Sequence, residues 1–239
     1  MNIAVIFAGG TGQRMSSSGT PKQFLEVHQK PIIVHTLENF QKSASIDHII
    51  IVSLERAIQQ VNSLVKEFSL TKVASVVPGG HTGQESIFLG LTECRRLFSE
   101  TDIVLLHDGV RPIIDDTLIK NCITSVEDHG NAITVAPATE TTFIRKEDTN
   151  QIGRILERSQ CVIAKAPQCF FLRDIYNAHI NANKESLEFI DSASMMQYYN
   201  NDLFLVEGPA ENIKITTPID FYTFKAYLDV KDSLNVIGL

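Results

Sequence analysis

The chain has 239 residues, 44% of them hydrophobic, which is enough for one domain with a sizeable core. A net charge of −7 excludes a broadly basic surface, so nucleic acid is not an expected partner. Four scattered cysteines (Cys94, Cys122, Cys161, Cys169) form no CxxC pair and no zinc spacing with histidine, and predict reduced packing residues in a cytoplasmic protein.

The first apolar run, residues 2–7, is short enough for one buried strand. No basic flank precedes it and Gly9-Gly10 interrupts it early, so neither a signal peptide nor a membrane span is predicted. The run leads into Ala8-Gly9-Gly10-Thr11-Gly12, then Arg14, then Pro21-Lys22-Gln23. Glycines let backbone N–H groups approach oxygen closely. Arg14 offers a planar fork for phosphate, and Lys22 a compact charge. The pattern is not a P-loop, since no Lys-Ser/Thr follows a glycine, nor a GxGxxG fingerprint, since Met15 takes the third place. An ordinary strand-to-helix turn is the bland alternative, and the cations weigh against it.

Further strands are predicted at 47–52, 72–77, 102–106 and 132–135, with helices at 31–40, 55–68, 85–97 and 116–128. Uniformly apolar strands alternating with helices imply an α/β fold, a doubly wound, mostly parallel sheet covered on both faces. Ligands in such folds sit at the carboxyl ends of the strands, where the glycine loop and Asp108 both fall. Residues 137–166 break the alternation and read as a protruding β-hairpin arm with a turn-rich tip at 145–150, or as a surface loop. Helices follow at 172–183 and 192–200, the second capped by Asp191. Residues 212–218 read as a strand entering a last helix opened by Pro218, with Lys214 alternating against Ile213 and Ile215. The expectation is one domain, 1–239, with an arm at about 137–166.

The glycine loop with Pro-Lys-Gln is joined by Gly79-Gly80 with Ser86, by His107-Asp108-Gly109-Val110-Arg111-Pro112 and by Pro167-Gln168. Asp191 with Ala193-Ser194, Glu207-Gly208 and Asn212-Ile213-Lys214 complete the set. In this order they make the chain resemble the cytidylyltransferases acting on polyol phosphates, which have a nucleotidyltransferase, Rossmann-like fold. The resemblance implies attack of a polyol-phosphate oxygen on the α-phosphorus of CTP, with release of pyrophosphate. The nucleophile is already an anion, so positive charge and positioning are the main requirements. It implies Arg14, Lys22 and Lys214 as catalytic cations. Ala8, Gly9, Gly10, Thr11, Gly12, Gly80, Ser86 and Asp108 would hold the nucleotide. Asp108 would also be the carboxylate for Mg²⁺, the implied cofactor, although ribose binding or capping of the next turn are open to it. Arg111, Thr141, Arg158 and Asp191 would bind the polyol phosphate, with Thr141 and Arg158 reaching from the partner's arm in a homodimer. For Arg111 a structural ion pair with Asp108 is the competing role. His107 is expected to be a packed, hydrogen-bonded histidine.

Some positions depart from the family pattern. Gly83 stands where many relatives carry arginine, and Ile190 and Ala166 stand where threonines are usual in the methylerythritol enzymes. Two lost hydroxyls near the polyol pocket point to a different or less constrained alcohol than 2-C-methyl-D-erythritol 4-phosphate, and the Ala8-Gly9-Gly10 opening with Pro21-Lys22-Gln23-Phe24 resembles the ribitol 5-phosphate branch. A glycosyltransferase would need a DxD-like pair, which the adjacent Asp115-Asp116 supplies poorly. A non-catalytic nucleotide-binding module would not need Arg14, Lys22, Asp108 and Lys214 together.

Overall fold

A computed structural model describes residues 1–10 and 20–237. The elements run β1 (Asn2–Ala8), a ribbon of β2 (Glu26–Val27) and β3 (Lys30–Pro31), α1 (Ile32–Lys42), β4 (His48–Ser53), α2 (Ile58–Glu67), β5 (Val73–Pro78) and α3 (Gly83–Leu97). They continue with β6 (Ile103–Asp108), α4 (Asp116–His129), β7 (Asn131–Pro137), β8 (Phe143–Arg145), β9 (Ile152–Ile155) and β10 (Val162–Phe171). The last are α5 (Leu172–Glu185), α6 (Ser192–Tyr198), β11 (Leu205–Glu207) and α7 (Pro218–Ile237).

Seven strands form one sheet in the order β11-β7-β10-β6-β1-β4-β5. β6, β1, β4 and β5 are parallel neighbours, and β10 lies antiparallel between β6 and β7. Side chains alternate between two cores, as the strand period requires. Ala4, Ile6, Ile49, Ile51 and Leu105 pack with α1, α2 and α4, while Ile3, Val5, Ile50, Val52 and Val104 pack with α3, α5 and α6. The chain leaves β1 toward β4 on one side and later returns as β6 on the other, so β1 and β6 flank a topological switch point.

A third cluster joins three separate segments beneath the switch point. Val27 follows the Lys22 turn, Val110 and Ile113 follow β6, and Ile215 precedes α7, which adds Phe224. Apolar burial thus ties the cation-bearing segments together.

Two expectations need correction. Residues 162–166 belong to the central sheet, because Val162, Ile163 and Ala164 pair with β7. The hairpin is therefore the shorter β8–β9 pair. Residues 212–216 form no strand; their one backbone–backbone bond to the β6 loop runs from Ile215 N–H to the Val110 carbonyl, and Ile215 is held by burial.

Candidate active site

A cavity of about 730 Å³ opens over the carboxyl ends of β1 and β6. Gly9 and Gly10 follow β1, and Gly80 follows β5. Ser86, in the first turn of α3, donates its hydroxyl to the Thr82 carbonyl at 2.8 Å and accepts from Gly80 N–H at 3.1 Å. A Cβ on Gly79 would come within 3.0 Å of that hydroxyl, so the Gly-Gly pair lets the loop close onto Ser86. Thr82 caps α3 by accepting from Glu85 N–H.

Lys22 opens a short 3₁₀ turn, Lys22–Phe24, and its side chain lies beside Gly10. The turn is pinned by Gln23, which is buried and donates to the Ala8 carbonyl at 2.7 Å. Asp108 ends β6. Its carboxylate meets Lys214 Nζ at 2.6 Å and Arg111 Nε at 3.3 Å. Burial pushes this carboxyl up, but Lys214 and then Arg111 outweigh burial and hold it below the usual range. Arg111 also donates to the Asn212 carbonyl at 2.7 Å, and Asn212 Nδ2 donates to the Ala166 carbonyl at 2.7 Å. One network therefore fixes the β6 loop, the Lys214 segment and β10 relative to one another.

His107 is buried and its Nε2 lies 2.9 Å from the Arg111 carbonyl. Burial pushes it down to about 4, so it is neutral at pH 7 and packs edge-on against Phe40. Asp191 forms a capping box with Ser194 at the start of α6. Its other oxygen accepts from Gln168 at 2.9 Å. Burial raises its pKa, and the bonds from Ser194 and Gln168 more than reverse that.

The cavity thus brings together Ala8, Gly9, Gly10, Lys22, Gly80, Ser86, Asp108, Arg111, Asp191 and Lys214. Thr141 and Arg158 are exposed on the β8–β9 side and do not line it. Thr11, Gly12 and Arg14 lie outside the described residues. Gly83 lines the cavity, and no atom lies within 4 Å of the Cβ it lacks, so the space an arginine would use is open. Gln84 instead bridges to the Leu187 carbonyl and the Phe189 N–H, fixing the loop before Asp191.

Sequence reasoning missed Gln23, Gln168 and Asn212. Each is a buried amide bonded across elements, and the two glutamines stand beside Lys22 and Pro167 in motifs already noted. Asn212 carried no signal beyond its place before Lys214.

The 2-C-methyl-D-erythritol 4-phosphate cytidylyltransferase (IspD) family model matches residues 2–230. The chain is 48% identical over 240 residues to a ribitol-5-phosphate cytidylyltransferase of Streptococcus agalactiae serotype III (strain NEM316), covering 100% of both chains. It is 37% identical to a 2-C-methyl-D-erythritol 4-phosphate cytidylyltransferase of Clostridium acetobutylicum, covering 95% of this chain and 97% of the other. Among solved structures, the 4-diphosphocytidyl-2C-methyl-D-erythritol synthase of Anaerococcus prevotii DSM 20548 superposes with a TM-score of 0.83 at 25% identity, covering 95% and 96% of the two chains. The 2-C-methyl-D-erythritol 4-phosphate cytidylyltransferase of Thermus thermophilus gives 0.74 at 26%, covering 94% and 98%. The fold, the cavity and these matches agree: the chain is an enzyme of the IspD family, a cytidylyltransferase.

Proposed function

We propose that the protein transfers CMP from CTP to ribitol 5-phosphate, releasing pyrophosphate and giving CDP-ribitol. The observation that carries the choice of alcohol is the full-length 48% identity to ribitol-5-phosphate cytidylyltransferases, against 37% for the methylerythritol enzyme. Ala166 and Ile190, which bring no side-chain hydroxyl to the cavity wall, support it.

The glycine loops receive the nucleotide against bare backbone, with Gly80 fixed by Ser86. Lys22 and Lys214 both line the cavity that would receive the triphosphate, and the resemblance adds Arg14 as a third charge. A phosphate oxygen of the alcohol attacks the α-phosphorus, the bond to the β-phosphate oxygen breaks, and pyrophosphate leaves. Charge rises on the phosphoryl oxygens in the transition state, where fixed cations act most strongly. His107 takes no part as a base: it is neutral, buried and committed to a carbonyl.

Among the described residues no three His, Cys, Asp or Glu side chains form a metal cage. Asp108 would be the carboxylate to hold Mg²⁺, which takes one or two carboxylates together with phosphate oxygens and water, and the ion would have to share the Asp108 oxygens with Lys214 and Arg111. When bound, the ion would share the negative charge of the triphosphate.

A homodimer through the arm completes this reading. Phe143, Ile144, Ile152 and Ile155 are all exposed on the β8–β9 hairpin, an apolar surface suited to a second copy. Thr141 and Arg158, on the same side, would then serve the partner's cavity. The partners are CTP, the polyol phosphate and a second subunit. The free cysteines, three of them buried, suit a reducing cytoplasm, and no described helix is long and apolar enough to cross a membrane.

The test is pyrophosphate release with CTP and Mg²⁺, comparing ribitol 5-phosphate with 2-C-methyl-D-erythritol 4-phosphate. A large preference for ribitol 5-phosphate is expected. Preference for the other alcohol would move the protein to isoprenoid-precursor synthesis, and CTP binding without turnover would leave a nucleotide-binding module. Sedimentation should show a dimer that Ile155→Asp dissociates; a monomeric wild type would remove the shared-site part of the reading.

A further inference from the structure

Lys165 is a cation in the cavity that this chemistry has not used. It lies half-buried on β10, lining the cavity between Ala164 and Ala166. Its ammonium makes one long bond, 3.5 Å to the Ala210 carbonyl, and no ion pair with any described carboxylate. Arg111 and Lys214, by contrast, share Asp108. Burial, and then Arg111, push the Lys165 pKa below the ordinary lysine value, against a smaller opposing pull from Glu211. An ammonium on a half-buried lysine, near a second cation and with no described carboxylate in contact, is a site for an anion.

Sheet order says which anion. The glycine loops follow β1 and β5, on one side of β6, while Lys165 is on β10, on the other side. Asp108, at the end of β6, lies between them. The neighbours of Lys165 belong to the second-substrate wall: Ala166 is tied to Asn212, and Gln168 to Asp191. Asp191 is an acceptor suited to hydroxyls and repels phosphate, so the phosphate must find a cation elsewhere on this wall.

We propose that Lys165 binds the phosphate group of the polyol phosphate within its own subunit, holding the nucleophilic oxygen toward the α-phosphorus beside Asp108. This rests on the cytidylyltransferase reading above. It makes Lys165 a substrate-binding residue additional to Thr141 and Arg158 of the arm.

The experiment compares wild type with Lys165→Met and Lys165→Arg. Lys165→Met should raise KM for ribitol 5-phosphate by about tenfold to a hundredfold, the size of a lost charge-assisted hydrogen bond. KM for CTP should stay within about twofold, and Lys165→Arg should recover most of the loss. Unchanged KM for ribitol 5-phosphate, or a loss confined to CTP, overturns the proposal. Calorimetric titration of ribitol 5-phosphate and of inorganic phosphate separates it from the activity itself. If wild type binds these anions and Lys165→Met binds them more weakly, the lysine site stands even should turnover with ribitol 5-phosphate fail. Equal affinity in both proteins, or none in either, overturns it.

Discussion

Lys214→Met separates a catalytic cation from a structural one. The Lys214 side chain is 45% exposed and Asp108 24%, with 2.6 Å between their charges. The lysine end of the pair is open to solvent although Asp108 is partly buried, which holds its contribution to folding to about 1 kcal/mol. Asp108 also keeps Arg111 at 3.3 Å, so removing Lys214 does not strand a buried carboxylate. Ile213 and Ile215 still anchor the segment in the third apolar cluster. Stability should therefore fall by no more than about 1 kcal/mol. The transition state is a different matter if Lys214 has the proposed role, because charge would gather on phosphoryl oxygens beside Nζ. Losing one preorganised electrostatic group there costs about 3–4 kcal/mol, or roughly 10²–10³ in kcat. The assay is pyrophosphate release at saturating CTP and ribitol 5-phosphate, with urea melts on the same samples. A protein that melts like wild type and keeps more than about a tenth of its kcat would refute the reasoning. So would a loss of activity accompanied by several kcal/mol of destabilisation, which would make Lys214 a structural residue.

Asn212→Ala should destabilise the fold by about 1–3 kcal/mol in urea melts, since it leaves the buried Ala166 carbonyl without its donor. Wild-type stability in that variant would show that the β10-to-Lys214 link is not needed. Gly90→Ala should also destabilise, even though alanine favours helix by about 1 kcal/mol, because the new Cβ would sit 2.8 Å from Val5 and Val52 methyls. A more stable variant would mean that α3 can lift off the sheet freely. Acid should weaken the fold through His107 and His179, both buried and held near 4 against an ordinary 6.5. The folded pKa is the lower one, so the unfolded chain takes up protons first. The stability is fully present above pH 6.5 and is lost as pH falls toward about 4, by roughly 3 kcal/mol per histidine at about 1.4 kcal/mol per pH unit. His179, whose ring nitrogens have no partner among the described residues, stacks on Phe88, and His179→Leu should flatten that slope. An unchanged slope between pH 6.5 and 4 would exclude it as a source.

Local chemistry determined much of this protein in advance. A strand covered on both faces reads as a near-continuous apolar run, so the middles of β1, β4 and β6 are written openly in the chain. Asp191 and Ser194 cap α6 by contacts within one turn, and Pro218 opens α7. The glycine loops and Asp108 followed from the rule that places ligands at strand carboxyl ends. β10 was hidden because Lys165, Pro167 and Gln168 interrupt its apolar run, and because its place between β6 and β7 is a long-range pairing. The Lys214 segment alternates like a strand, yet Ile215 serves a cluster built from three distant segments. Only tertiary structure showed that Arg111 meets Asp108 and the Asn212 carbonyl. It decided too that Lys214 shares that carboxylate from the far end of the chain. Charges pair by distance in space, and sequence separation sets no such distance.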